Sequence, residues 1–466
     1  MEYKPTIGLE VHAELKTETK MFCDCKNDPD EKSPNKNICP VCMGHPGTLP
    51  VINREAVKHI LKIGLALGGH ISDESEFDRK NYFYPDIPKG YQISQYKYPF
   101  VVGGELAGIK LTRIHLEEDT ARSSHSKGDY SLVDFNRAGV PLMELVTEPV
   151  IHSASKVVEF GEELQKLLQY LEISDANMEK GEMRLEANIS VSNTDVLGTK
   201  VEVKNLNSFK SAGKAIEYEI KRQVEILKSG GTVSQETRGF DEHNQKTFSQ
   251  RLKESSHDYR YFPDPDLPKL KISEIEDFAK DALVSATKET PTEKRARFKK
   301  DYGIKTSDID FYVSNPEFGN VFELAAKEIP KKEGLQVLSN YVVSDLASFG
   351  ERGLLIGGSR LSGLIKMILE GSVSSRGAKI ILQKMTEISD DPSEIAKKEG
   401  LFQKSDTDEL LLVAKSILDQ NKDVALSYKE GKTSAIQFLV GQGMKATKGS
   451  ANPNLIRSIF EDLLKA

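Results

Sequence analysis

The sequence predicts an α+β fold, with a sheet-based N-terminal part spanning residues 1–270 and an all-helical remainder. Three observations predict it. Short runs with one strictly apolar and one polar row mark half-buried antiparallel strands in the first part. Long amphipathic helices stand between clusters of such strands instead of alternating with them one for one, which argues against a parallel βαβ array. Past Leu267 to Ile272 the composition turns from Gly, Pro, Asn and Tyr to Lys, Glu, Leu, Ala and Ser at helical spacing.

The first strand is Ile7 to Leu15, with Ile7, Leu9, Val11, Ala13 and Leu15 on one face and Glu10, His12 and Glu14 on the other. A helix is expected from Arg54 to Leu67. Between Ile109 and Asp119 the alternation slips between Leu111 and Ile114, so periodicity alone leaves open whether Glu117 or Glu118 faces the strand of His12; a bulge would decide. A second helix runs from Ser155 to Leu171, and Met183 to Val191 is a strand with Arg184, Glu186, Asn188 and Ser190 on its polar face. Ser208 caps a third helix, Phe209 to Lys228, which Gly230-Gly231 stops. Two Pro-rich segments, Tyr82 to Pro88 and Tyr261 to Pro268, read as rigid turns. Beyond them the pattern is helical, and Gly357-Gly358 is the expected seam between a middle domain, 271–357, and a C-terminal one, 358–466.

At 466 residues the chain is too long for one ordinary core, since roughly 100–200 residues make a domain. Hydrophobic residues other than glycine make up 38% and 34 glycines add to them, a share well above that of disordered chains. Asn37 to Asn53 has no Asp, Glu, Lys or Arg, yet Pro40, Pro46 and Pro50 interrupt it, so no membrane span is expected. The N-terminus enters a strand pattern at once, leaving no room for a secretory signal, and a cytoplasmic location is expected. A net charge of -7 excludes a nonspecific nucleic-acid polyelectrolyte. From Gly358 onward 16 Lys and Arg stand against 14 Asp and Glu, a local +2.

All four cysteines fall in a Cys23-x-Cys25 and Cys39-x-x-Cys42 pattern. Two short-spaced pairs suit one tetrahedral ion, and four protein ligands leave no open position, so a structural zinc is expected. A second constellation is acidic: Glu10, His12, the run His115 to Asp119, Glu144 and Glu148. Carboxylates with imidazole can hold magnesium beside nucleotide phosphates, although a solvated polar sheet face shows the same alternation. Gly431-Lys432-Thr433 imitates the end of a P-loop, but Leu426 stands where that motif needs glycine. Neither GxGxxG nor HExxH nor GxSxG occurs.

Longer runs carry a resemblance. Ile7 to His12, Phe77 to Pro85, Lys89 to Gln95, Ser131 to Arg137, Lys204 to Ser208, Asp258 to Phe262 and Leu439 to Pro453 resemble the B-subunit family of the aspartyl/glutamyl-tRNA amidotransferases almost end to end. The resemblance implies a cradle domain similar to the glutamine synthetase and guanido kinase fold, then a helical domain, then a helical tail contacting tRNA. It also implies ATP-dependent activation of the Glu or Asp side chain on mischarged Glu-tRNA(Gln) or Asp-tRNA(Asn). Ammonia would come from a partner amidase, the A subunit, and a small bridging C subunit would complete the complex. Carried over, Glu10, His12, Glu118 and Glu144 form the catalytic shell, with His12, Glu118 and Glu144 on magnesium. Lys80 and Lys89 contact phosphate or the ammonia path, and Lys445 and Lys448 contact tRNA. The family's Ala-Gly-Lys after Glu-Glu-Asp is Thr120-Ala-Arg122 here, and Arg122 keeps the charge of that lysine but not its point-charge geometry. A noncatalytic tRNA-binding scaffold is the alternative.

Overall fold

The computed structural model describes residues 2–465 except 125–128, 253–258, 286, 288, 330–331, 404–406, 430–431 and 448–450. It separates into two compact units, Met1–Pro291 and Thr292–Ala466.

The first unit is built on a large sheet. Its long strands are β1 (Lys4–Glu14), β4 (Ile109–Glu118), β5 (Pro141–Thr147), β6 (Met183–Ser192), β7 (Val201–Leu206), β8 (Glu236–Asp241) and β9 (Lys246–Leu252). They are ordered β9-β8-β7-β6-β1-β5-β4, and short strands at Val101–Val102 and His70–Ile71 extend the β4 edge. The smaller sheet joins β2 (Asp78–Asn81), β3 (Tyr91–Ser94) and β10 (Phe262–Pro263). The second Pro-rich turn therefore begins as a strand, with Phe262 opposite Arg79.

The large sheet is mixed, not wholly antiparallel, because β7 and β8 run parallel. The reason lies between them: helix α3 (Phe209–Lys228) is long enough to carry the chain back across the sheet and start the next strand in the same direction. Ser208 caps α3 by accepting from the Ser211 N–H at 3.1 Å, and Gly230, at φ +80, lets the chain leave it.

Helices α1 (Arg54–Ala66), α2 (Ala154–Tyr170) and α3 supply the apolar cover. Asn53 and Ser153 cap the first two. On α2, Val157, Phe160, Leu164, Leu167 and Leu168 are buried at helical spacing, each contributing roughly 1.5–3 kcal/mol. They share one core with Ile7, Leu9, Val11, Met143, Leu145, Leu185 and Ile189 from the strands. The alternate residues of those strands, His12, Glu144 and Arg184 among them, consequently face away from the core.

The second unit is helical. Helix α4 (Pro316–Ala326) packs against α5 (Gly358–Leu369), and a β-carbon on Gly358 would lie 2.5 Å from that of Leu324. A separate apolar cluster, including Leu410, Leu439, Ile456 and Phe460, joins α6 (Thr407–Gln420), α7 (Ala435–Ala446) and α8 (Pro453–Lys465). No described helix is long and apolar enough to cross a membrane.

Candidate active site and metal centres

The polar face of the large sheet forms the floor of a cavity of about 510 Å³, a size suited to a small-molecule ligand. Strand register builds that floor. His12 on β1 lies opposite Glu144 on β5, and Glu144 lies opposite His115 on β4. His12 Nε2 stands 3.5 Å from both Glu117 Oε1 and Glu144 Oε2, while His115 Nε2 is 3.3 Å from Glu144 Oε2. One ligand atom each from His12, Glu117 and Glu144 lie within 4.8 Å of one another. Glu117 Oε2 is buried without a hydrogen-bond partner, so this donor set fits a hard divalent cation.

Glu118, expected beside His12 and Glu144, is instead on the core side of β4. The pairing of β4 with β5 shifts at Val146/Thr147, leaving Thr112 as an extra residue. Leu111 points into the core before the bulge and Ile114 and Leu116 after it, so the slip turns His115 and Glu117 to the cavity and Glu118 to the interior. There Glu118 pairs with Lys89 and accepts the Ile93 N–H at 2.9 Å. Lys89 thus lies outside the large cavity's lining, as does Arg122, which is 3.2 Å from Asp30 at the surface.

Glu10 and Lys80 do line the cavity. Glu10 accepts from Asn188 at 2.8 Å and belongs to a second acidic group with Glu186 and Glu202, which Lys204 bridges at 2.8 and 3.3 Å. Lys80 sits 5.2 Å from the Tyr259 ring centroid. Burial opposes its charge, but Glu117, Tyr261 and Glu144 raise its pKa above the ordinary lysine value. Burial likewise opposes charge on His12, yet Glu144 and then Glu117 and Glu186 push its pKa up to about 9. Glu144 is held well below the usual carboxylate range by His115 and His12 against the opposing effect of burial.

The four thiols come together as one group, with their sulfurs within 4.8 Å of one another. Cys42 accepts the Cys39 N–H at 3.2 Å, and Lys20, only 1% exposed, extends to the Asn37 and Phe135 carbonyls at 2.7 and 3.2 Å. A hydrogen bond from Cys23 leads the effects that lower Cys42 to about 5, with Lys20 assisting against burial. Four sulfurs, a thiolate-favouring position and a buried cation fit a tetrahedral thiophilic metal.

Residues 5–276 match the family model described as the GatB/GatE catalytic domain, and residues 320–464 match the one described as the GatB domain. The B subunit of the aspartyl/glutamyl-tRNA(Asn/Gln) amidotransferase of Persephonella marina is 41% identical, with 100% of each chain covered. The chain belongs to the amidotransferase B-subunit family. Other B-subunit relatives include those of Brevibacillus brevis, 41% identical over 100% of this chain and 99% of its own, and Crocosphaera subtropica, 40% identical over 99% and 98%.

In this B-subunit chain the cavity also takes Tyr82 and Tyr261, which the Pro-rich motifs signalled only as turns, Tyr259, and Arg113, Arg184 and Lys204. Arg184 pairs with the buried Asp119. The alternation of Met183 to Val191 puts Arg184 and Glu186 on a polar row, but it does not reveal their partners, Asp119 just past β4 and Lys204 on β7. Lys445 is exposed in the last turn of α7, and Lys448 lies outside the described residues.

Proposed function

We propose that the chain is the ATP-dependent activating subunit of a tRNA-dependent amidotransferase. Its substrate is the side-chain carboxylate of Glu or Asp esterified to tRNA, and its glutamine-derived ammonia comes from a partner amidase held with a small third protein. The observation that carries this reading is the gathering of His12, Glu117 and Glu144 on one polar sheet face, with Lys80 of the smaller sheet lining the same cavity. That open face also suits the cradle expected of the family.

A substrate carboxylate oxygen attacks the terminal phosphorus of ATP, ADP leaves, and the product is an acyl phosphate. Ammonia then attacks the acyl carbon and phosphate departs, leaving the amide after loss of a proton. A carboxylate is a poor acyl electrophile, whereas phosphate is a good leaving group. His12, Glu117 and Glu144 would hold magnesium, which neutralises phosphate charge when bound. Lys80 supplies a half-buried positive charge for the phosphates, Glu10 with Glu186 and Glu202 orders the far end of the cavity, and the cysteine group holds zinc. The helical tail, through Lys445 and neighbouring residues, contacts tRNA.

The test is Glu144→Gln in the assembled complex. ATP-dependent phosphorylation of the charged tRNA should fall by about two orders of magnitude or more, with complex assembly and tRNA binding retained. Near-normal amidation would overturn the catalytic reading and favour a tRNA-binding scaffold.

A further inference from the structure

The cysteine group is packed against the residues behind the cavity. Gly44, in the turn that follows Cys42, has φ +67, and a β-carbon there would lie 2.6 Å from Lys89 Cγ and 3.1 Å from Lys89 Cα. The knuckle therefore rests its backbone directly on the Lys89 stem, a contact that only glycine permits. Lys89 ends on Glu118, with the two side chains 8% and 6% exposed. Gly139 marks a second junction: a β-carbon there would meet Cys42 Cβ at 3.5 Å, Lys20 Cδ at 3.6 Å and Glu118 Oε2 at 3.8 Å. Glu118 is further tied through its own carbonyl, which accepts from Gln92 at 2.6 Å. The residue before it in the chain is Glu117, which reaches the opposite face to meet His12.

We propose that the four-cysteine knuckle is a positioning element for the reaction site, pressing Lys89 onto Glu118 and so fixing the end of β4 that presents Glu117 to His12 and Glu144. Packed interiors transmit displacement because they contain few voids to absorb it. With the four sulfurs joined through one metal, the Cys39–Cys42 turn and Gly44 have one geometry; without it, the turn is free to relax and Lys89 loses its backing. The expectation that the knuckle serves folding alone is thereby extended to the reaction. The inference rests on the proposed role of His12, Glu117 and Glu144 as cation ligands.

The test measures Mn2+ binding to the assembled complex from the electron paramagnetic resonance signal of free Mn2+, together with zinc content and amidation kinetics. The variants are Cys39→Ser with Cys42→Ser, Lys89→Met, and the three substitutions combined. The cysteine pair should lose zinc and weaken Mn2+ binding about 5- to 10-fold, near the lower end of what outer-shell losses cost a metal site. Lys89→Met, which keeps the stem but removes the ammonium, should retain zinc and weaken Mn2+ by a similar factor. The combined variant should be no worse than either, since both act on one path. Lowered kcat with little change in the KM for ATP should accompany the loss, and zinc returned to chelator-treated wild-type complex should restore Mn2+ affinity.

Unchanged Mn2+ affinity after zinc loss overturns the inference while leaving the functional reading standing, and so do fully additive effects. No Mn2+ binding by wild-type complex overturns both. Where the cysteine variant fails to fold, Gly44→Ala decides: it keeps all four thiols but displaces Lys89, and must weaken Mn2+ with zinc retained.

Discussion

Binding of the proposed cation at His12 must displace a proton, and the size of that competition follows from the site. Glu144 and Glu117 stand 3.5 Å from the ring and hold its pKa near 9 in spite of burial. A metal takes only the neutral imidazole. Affinity should therefore climb about tenfold per pH unit between pH 7 and 9 and level off above, and at pH 7 binding should be about 100-fold weaker than at the plateau, a cost of about 2.7 kcal/mol. An imidazole with its ordinary value of 6.5 would show almost no such cost at pH 7. In the ion-free protein the sign is reversed: a raised histidine pKa adds stability that is complete below pH 6.5 and disappears as pH rises through about 9. Calorimetric titration of the complex with Mg2+ at pH 7, in two buffers of different ionisation enthalpy, should give about one proton released per ion. His12→Asn should bind more weakly and release none. Wild-type binding with no proton release and a flat response from pH 7 to 9 would refute His12 as a protonated ligand position.

Glu117→Gln and Glu118→Gln should differ sharply despite their adjacency. The first removes a proposed cation ligand and should weaken Mn2+ binding by about 100-fold with little loss of stability; the second leaves Lys89 buried and unpaired, so urea unfolding should show a loss of about 3 kcal/mol with a smaller effect on the ion. Deleting residues 407–466 removes a cluster with its own core and should raise the KM for charged tRNA while leaving Mn2+ affinity unchanged. Within that segment Lys445→Ala should reduce the salt slope of tRNA binding by somewhat under one, the share of a single phosphate contact, and an unchanged slope would assign the contact elsewhere.

Local periodicity located the strands of His12, Glu117 and Arg184 and the three covering helices, because their signals are short-range, but it did not mark the strands that carry Glu144 and Lys80. The strand through His12 and the strand through Arg184 alternate without interruption, and the Ser208 cap and Gly230 stop bracket α3 at the ends the structure has. What periodicity could not supply was pairing. That α3 sets β7 and β8 parallel depends on where the chain lands after a helix, and that Glu144 lies between His12 and His115 depends on which strands are neighbours. The family resemblance contributed some of this non-local knowledge, since it grouped His12 with Glu144 without any register. Of the two adjacent glutamates it named Glu118, where the register puts Glu117 beside His12. That choice is made by one extra residue, Thr112, five positions upstream of Glu117, since a strand has a period of two and a single inserted residue reverses every side chain beyond it. The same reversal that gives Glu117 to the cavity gives Glu118 to Lys89 and the knuckle, so the bulge connects the two proposed cation groups through opposite faces of one strand.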